Sequence, residues 1–183
     1  MKKVLFLYLM LGIMMANNSC HKNDMPLYLP GDMIHGSLHA CRNGDDWVAS
    51  GRAGRYPTNK NLLGIVGYTY SEEGMPRESF HISGISLKKS VFEINGNMES
   101  LYNLDAPFAF FTTSADDGDV AEDIYYLRKH PKSCVEITHL DTLTNKVEGE
   151  FEVYLEIETP KRGEQNADKL CFKRGRFSVD IIE

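Results

Sequence analysis

Residues 148–158 read EGEFEVYLEIE, and this stretch decides the fold. Its odd positions from Phe151 to Ile157 are apolar, whereas its even positions are glutamates except for Tyr154. Successive side chains of a β-strand point to opposite faces of the sheet, so a period of two predicts one buried and one solvated face. We therefore predict a strand in which Phe151 lies in the core and Glu152 faces solvent.

Working outward from this strand, the remaining chain alternates between strand-like segments and turns. Asn43-Gly44 is typical of a type I′ hairpin turn, because both residues tolerate a positive φ, and Asn95-Gly96 predicts another turn. Ala115–Asp123 is the best candidate for a helix, although Gly118 weakens it. The other predicted strands are Ser37–Arg42, Asp46–Ala53, Leu62–Tyr70, Ser79–Leu87, Val91–Ile94, Phe108–Thr113, Asp123–Arg128 and a segment around Cys134–His139.

The last strand changes phase along its length. Phe172 is apolar at an even position, whereas Phe177 and Val179 are apolar at odd positions. A change of phase needs one extra residue, so we predict a β-bulge near Lys173–Arg176. Together these patterns predict a single all-β domain, either an antiparallel β-sandwich or a lipocalin-like β-barrel of about nine or ten strands.

The side chains facing outward on this sheet generate two further expectations. We expect the glutamates of residues 148–158 to pair with Lys169, Lys173 and Arg174 across the sheet, because a uniform row lacks the contrasting environments of a catalytic carboxylate pair. Cys134 and Cys171 should lie on strands flanking the 147–158 strand, about 9–10 Å apart at roughly 4.8 Å per strand. That separation exceeds the ~7 Å limit for a disulfide. A bond between Cys41 and Cys171 stays open.

The first twenty residues indicate export. Lys2 and Lys3 precede an uncharged, largely apolar run from Val4 to Met15, and the chain becomes polar after Cys20. This layout is typical of a secretory signal peptide over residues 1–19 and is too short for a comfortable membrane span, which needs roughly 20 apolar residues. We expect acylation of Cys20, for example by palmitate, with about 0.8 kcal/mol of membrane affinity per buried CH2. Residues 20–35 then form a tether, and residues 36–183 form the all-β domain.

Three motifs in order carry a resemblance to a known group. A strand leads into Asn43-Gly44 and then Trp47-Val48-Ala49; VEITHLD at residues 135–141 is followed by NKVEGEF at residues 145–151; and the chain closes with GRFSV at residues 175–179. In this the chain resembles small secreted lipoproteins of the Bacteroidota type that are classed as domains of unknown function. The resemblance implies a β-sandwich or lipocalin-like barrel on the cell envelope, and it implies no activity.

Composition and motifs narrow the classes of function. The formal charge is −6, and loss of Lys2 and Lys3 with the signal peptide takes it to −8. Such an acidic chain argues against nucleic acid as a partner. GxSxG, HExxH, P-loop and GxGxxG motifs do not occur in the sequence. We expect no enzymatic activity and no cofactor.

Two groups of residues are candidates for a binding site. Phe108, Phe110, Tyr125 and Tyr126 line a ligand pocket or belong to the core. Asp116, Asp117 and Asp119 have the oxygen ligands that Ca2+ prefers, but their spacing departs from that of an EF-hand, and a solvated turn explains them equally.

From these observations we expect a non-catalytic domain that binds a small apolar ligand. The alternative is a surface protein-interaction module or inhibitor that acts through strand edges and loops. In either case the chain is expected in the bacterial cell envelope, at the outer membrane, held there by its N-terminal lipid.

Overall fold

The computed structural model describes residues 35–97, 99–115, 118, 120–159 and 167–182. The described chain is all-β, as predicted, and its strands form one ten-stranded sheet. One short helix, α1, covers Ser100–Asn103. The strands are β1 Gly36–Arg42, β2 Asp45–Tyr56, β3 Asn59–Tyr70, β4 Pro76–Ser86, β5 Ser90–Ile94, β6 Phe108–Ser114, β7 Ala121–Leu127, β8 Ser133–Asp141, β9 Lys146–Thr159 and β10 Lys169–Ile182.

Eight of the strands close into a ring. Its order is β1, β2, β3, β4, β6, β7, β9 and β10, and β10 returns to pair with β1. All neighbours around the ring are antiparallel. β8 and then β5 extend the sheet outward from β9. The ring agrees with a barrel-like fold, and the two extra strands form a flap beside it.

β9 is the strand on which the ring and the flap meet. One edge of β9 pairs with β10 from Lys146 to Glu156. The other edge pairs with β8 over residues 146–152 and with β7 over residues 155–159. β7 and β8 therefore occupy successive parts of the same edge and diverge between them.

The predicted bulge is present in β10. The register with β9 shifts between Phe172 and Gly175, and Arg174 lies in the left-handed region with a φ of 52°. Gly175 also allows close packing, because a Cβ there would lie 2.5 Å from a ring carbon of Phe151. The extra residues thus return the apolar side chains of β10 to the inner face.

Aromatic rings fill the interior of the ring of strands. Phe172 lies at their centre, with ring centroids 4.7 Å from Phe80, 5.1 Å from Trp47 and 5.6 Å from Phe111. Phe151 stacks on Phe80 at 5.2 Å. Each of these five side chains is almost completely buried. The interior is therefore a packed core that includes Trp47.

The predicted helix over Ala115–Asp123 is wrong. β7 begins at Ala121, and the described residues just before it are not helical. Gly118 has a φ of +74°, which an α-helix does not accommodate. The helical turn lies earlier, where the Asn97 side-chain oxygen accepts the backbone N–H groups of Glu99 and Ser100. The pairing of β7 with β6 outweighs the local composition of residues 115–123.

The prediction that the glutamates of β9 form ion pairs with Lys169, Lys173 and Arg174 is also wrong. Lys173 and Arg174 occupy the bulge, and the Lys173 ammonium lies 5.9 Å from the centre of the Tyr154 ring instead. Lys169 lies opposite Glu156 in the register but forms none of the ion pairs found among the described glutamates of β9. Those ion pairs are Glu150–Arg176 at 3.5 Å, Glu148–Lys146 at 3.5 Å and Glu156–Arg128 at 3.9 Å.

The cysteines lie where the strand parity predicted. Cys134 on β8 is opposite Glu152 of β9, and Cys171 on β10 is opposite Tyr154, so the two thiols flank β9 from either side. They do not bond to each other, as predicted, and Cys41, whose pairing with Cys171 was open, is free as well.

The burial of Phe151 beside the half-buried Glu152 gives a stability test. Phe151 is 3% exposed, and Phe151→Ala should lower the free energy of unfolding by about 3–5 kcal/mol, because it leaves a cavity against Phe80. Glu152→Gln, the matched control on the outer face, should change it by less than about 1 kcal/mol. Urea melts of both variants measure the difference. Equal losses would contradict the inward orientation of Phe151.

Candidate functional site

The first candidate, Tyr125, belongs to the core. Its side chain is 1% exposed and meets Phe111 edge to face at 5.8 Å inside the ring of strands. Burial is the main cause that raises the pKa of its phenol, and the Asp123 carboxylate adds to the effect. Of the two alternatives for Tyr125, a ligand pocket or the core, the structure places this side chain in the core, because its parity on β7 directs it into the packed interior.

A carboxylate closes one end of this core. Glu78 accepts hydrogen bonds from Arg42 at 2.6 Å, from the Trp47 indole N–H at 2.8 Å and from the Thr69 hydroxyl at 3.2 Å. The Arg42 guanidinium also lies 5.7 Å from the centre of the Phe111 ring. Because three donors satisfy the carboxylate, we interpret this network as a structural feature that covers the end of the aromatic core.

A cleft lies where β7 and β8 diverge on β9. The Arg128 N–H donates to the Tyr154 carbonyl at 3.0 Å, and the Tyr154 N–H donates to the Ser133 hydroxyl at 3.0 Å. The chain from residue 128 to residue 133 therefore crosses the gap between the two strands. The cleft opens beside this crossing, on the outside of the ring.

The cleft encloses about 610 Å³ and has an apolar floor. This volume falls in the roughly 300–1,000 Å³ range of ligand pockets. Ile94, Phe108 and Ala109, each at most 2% exposed, form the floor. Half-buried Tyr126 and Leu127 add further lining from β7. Phe108 and Tyr126 are thus the two predicted aromatic residues that the structure brings together.

The segment after β5 forms the opposite side of the cleft. The N–H groups of Asn95 and Gly96 both donate to the Pro107 carbonyl, at 3.1 and 2.8 Å. A Cβ at Gly96 would lie 2.8 Å from the Cβ of Phe108, so glycine lets this segment approach β6 closely. The predicted Asn95-Gly96 turn therefore shapes the cleft instead of closing a hairpin.

Charged side chains surround the mouth of the cleft. Lys132 pairs with Glu93 at 3.0 Å, while Lys129 and Glu158 are exposed beside it. Burial, followed by the charge of Glu158, raises the pKa of the Tyr126 phenol. At neutral pH this hydroxyl remains protonated and can donate a hydrogen bond to a ligand.

Phe110 lies in a row of aromatic side chains outside the ring. It stacks on His81 with centroids 4.2 Å apart and planes 8° apart, and Phe108 lies 5.8 Å away on its other side. Tyr68 meets His81 edge to face at 6.2 Å. This row runs from the cleft across β6, β4 and β3, but Phe110 itself does not line the cleft.

The remaining predicted sites fall outside the described residues: these are the lipid attachment at Cys20 and the acidic candidates Asp116, Asp117 and Asp119. Within the described ranges, His, Cys, Asp and Glu side chains do not form a group of three that could hold a metal ion. None of the helical residues in those ranges belongs to a segment with the length and hydropathy needed to cross a bilayer.

Comparisons of the chain with protein-family models, with curated proteins and with solved structures found no match.

Sequence reasoning missed the polar half of the cleft. Residues 93–97 and Glu99 meet residues 128–132 only because β5 pairs with β8, and β8 follows β7 along β9. The Asn95-Gly96 turn was the available indication that the chain bends there. Nothing local indicated that this bend faces Tyr126.

The buried imidazole of the aromatic row predicts a pH dependence of stability. Burial, aided by the Arg52 charge, lowers the pKa of His81 to about 4 from 6.5. The His81 imidazole therefore binds a proton more tightly in the unfolded chain than in the folded one. The free energy of unfolding is highest above pH 6.5 with respect to this group, and it should fall by up to about 3 kcal/mol as the pH drops toward 4. Urea melts across this range should show a clearly weaker dependence for His81→Phe, which keeps the ring stack.

His39→Phe is the matched control, because His39 is exposed on β1. This variant should keep the pH dependence of the parent protein. An unchanged dependence in His81→Phe would show that His81 is not the group responsible.

Proposed function

We propose that this chain is a non-catalytic binding domain of a bacterial cell-envelope lipoprotein, and that it holds a small apolar ligand in the cleft beside β5. The observation that carries the proposal is an open cleft of about 610 Å³ with a buried apolar floor, next to a barrel whose interior is already packed. Ligand sites are commonly concave and mostly apolar, with a few polar groups that orient the ligand.

The lining suggests the chemistry of the ligand. Phe108 and Tyr126 provide apolar and aromatic contacts, which favour an apolar or aromatic body. The Tyr126 hydroxyl and the exposed Lys129 ammonium lie toward the mouth, where they can donate hydrogen bonds. A compound with an apolar body and one hydrogen-bond-accepting end fits this arrangement.

A fluorescent probe tests the cleft directly. Anilinonaphthalene sulfonate has apolar rings and an anionic end, and its fluorescence rises on apolar surfaces. Tyr126→Ala should weaken its binding roughly tenfold, which corresponds to ~1.4 kcal/mol, because the variant removes one aromatic contact.

Tyr70→Ala is the matched control, since Tyr70 is also half-buried but lies on β3 away from the cleft. Its affinity for the probe should equal that of the parent. Equal weakening in both variants, or absence of binding by the parent, would refute the cleft as the site.

A specific observation also favours the second candidate, a protein-interaction module. β5 ends the order of strands, so its outer edge is unpaired within the described part of the chain. Val91 on this strand is 60% exposed. An extended segment of another protein could add to such an edge through backbone hydrogen bonds.

Native mass spectrometry of protein from its own host separates the two candidates. A bound small molecule that Tyr126→Ala removes would support the ligand cleft. A bound protein that Val91→Lys removes would support the edge, because a charge there opposes strand addition.

The envelope location rests on the sequence before the described domain. The apolar run that ends at Cys20 supports acylation of that cysteine, and the acylated chain would then reside at the outer membrane. The resemblance to Bacteroidota-type lipoproteins of unknown function agrees with this proposal.

Cys20→Ala tests the anchor. This variant should leave the detergent phase in a detergent-partitioning experiment, whereas the parent should enter it, because the acyl chains supply the membrane affinity. A Cys41→Ala variant, which changes a half-buried thiol of the domain, should partition like the parent. Retention of the processed Cys20→Ala chain in the detergent phase would place the anchor elsewhere.

A further inference from the structure

Tyr102, on the helical turn α1, is an exposed aromatic residue beside the cleft. Its side chain is 79% exposed, and it has the only aromatic ring among the large apolar residues that are exposed in the described chain. A single exposed ring is ordinary on a protein surface, so its position decides whether it has a role.

The geometry of α1 places Tyr102 at the rim of the cleft. Glu99 lines the cleft and already has helical φ and ψ angles of −69° and −31°. The Tyr102 N–H donates to the Glu99 carbonyl at 3.0 Å. Residues three apart lie on one face of a helical turn, so Tyr102 follows Glu99 along the rim.

The phenol of Tyr126 indicates the same proximity. Burial, then the charge of Glu158 and then that of Tyr102 raise the pKa of the Tyr126 phenol, so the two tyrosines are close enough to interact. Tyr126 lines the cleft, whereas Tyr102 is not part of the lining. One tyrosine therefore lies within the cleft and the other at its mouth.

The backbone that carries Tyr102 is held at both ends of the turn. Ser100 is 4% exposed, and its hydroxyl accepts the Asn97 N–H at 3.2 Å. The Leu104 N–H donates to the Ser100 carbonyl at 2.9 Å, and Leu104 lies in the left-handed region with a φ of 53°. Tyr102 thus moves mainly about its own two side-chain torsions, so ordering its ring against a ligand costs little conformational entropy.

The charges of the cleft lining balance. Its charged members are three acids and three bases: Glu93, Glu99, Glu158, Arg128, Lys129 and Lys132. Lys132 already pairs with Glu93 at 3.0 Å. Arg128 lies 3.9 Å from Glu156. The lining therefore gives no net preference for a charged ligand, whereas its aromatic side chains favour a planar ring.

We propose that Tyr102 is a specificity-determining residue of the cleft, and that the ligand is an uncharged compound with a planar aromatic ring. The ring of the ligand lies on the floor of Ile94, Phe108 and Ala109. Tyr126 contacts it inside the cleft, and the Tyr102 ring packs against the part that faces solvent. Aromatic rings pair in offset-stacked or edge-to-face arrangements at centroid distances of about 4.5–7 Å. This inference rests on the proposed function, because it names the ligand class of the same cleft.

An uncharged aromatic probe, N-phenyl-1-naphthylamine, tests the role of Tyr102, because its fluorescence rises in apolar surroundings. The mature chain, residues 20–183, is produced without its signal peptide, so it carries no acyl group and no detergent competes for the probe. The parent should bind the probe. Tyr102→Ala should weaken binding about threefold to tenfold, the range for one lost ring contact.

Two further variants separate the ring from other effects. Tyr102→Phe keeps the ring and should bind the probe as the parent does. Leu143→Ala is the matched control, since Leu143 is 94% exposed on the β8–β9 turn and lies outside the cleft lining. It should also bind as the parent does. Tyr102 and Leu143 are exposed, so these variants should fold, and urea melts verify it.

Displacement of the probe by two alcohols distinguishes ring recognition from general apolar binding. 2-Naphthol and decahydro-2-naphthol share a carbon skeleton and a hydroxyl, but only the first is planar and aromatic. On the parent, 2-naphthol should displace the probe at a several-fold lower concentration than the saturated alcohol does. Tyr102→Ala should reduce this difference, because it removes one of the rings that recognise the planar compound.

Three outcomes would overturn the proposal: Tyr102→Ala binds the probe as tightly as the parent, Tyr102→Phe is weakened as much as Tyr102→Ala, or the two alcohols displace the probe equally. Weakening by Tyr126→Ala but not by Tyr102→Ala would keep the cleft as the ligand site and remove Tyr102 from it. Absence of probe binding by the parent would overturn both this inference and the proposed cleft. The two failures are therefore distinguishable.

Discussion

Closure of the ring through β9 is the constraint on which the other features of the structure depend. β9 offers one full edge to β10 and divides its other edge between β8 and β7. The first pairing closes the barrel with the last strand of the chain. The divided edge creates both the flap of β8 and β5 and the cleft beside it. A continuous partner along this edge would leave no gap for residues 128–133 to cross.

Packing inside the ring depends on two close approaches of glycine to an aromatic ring. Gly175 faces Phe151, and a Cβ at Gly149 would lie 2.4 Å from the ring of Phe177. Each glycine lies on one of the two paired strands and faces a ring from the other. Each ring can therefore approach the backbone of the neighbouring strand closely. Phe172 of β10 lies in the aromatic cluster with Trp47 and Phe80. This dense interior is what places the candidate ligand site on the outside of the ring.

The outer face is divided by chemistry as well as by pairing. Outside β3, β4 and β6, aromatic side chains contact one another through His81 and Phe110. Outside β9 and β10, Glu150 and Arg176 form part of a charged surface. The cleft lies near the boundary between these two surfaces, so its lining combines Phe108 and Tyr126 with Lys132 and Glu93.

The candidate site was only partly predictable from sequence, for a reason visible in two strands. Residues 108–111 and 124–127 have apolar side chains on both parities, so alternation could not distinguish the inward face from the outward face. The sequence pattern therefore grouped all four aromatic residues together. In the structure Phe108 and Tyr126 line the cleft, Phe110 belongs to the outer row and Tyr125 belongs to the core. The lysines and glutamates of the rim had no distinguishing pattern at all.

The sequence by itself determined the local structure. Side-chain parity within a few residues sets the alternation of β9 and the bulge in β10. The positive φ values that Asn43 and Gly44 tolerate set the turn between β1 and β2. Only the tertiary structure decided which strands meet. The pairing of β1 with β10 joins residues far apart in the chain, and the pairing of β5 with β8 brings the segment after β5 to face Tyr126. Such contacts depend on how the whole sheet closes, because backbone hydrogen bonds between strands carry little information about which sequence lies opposite.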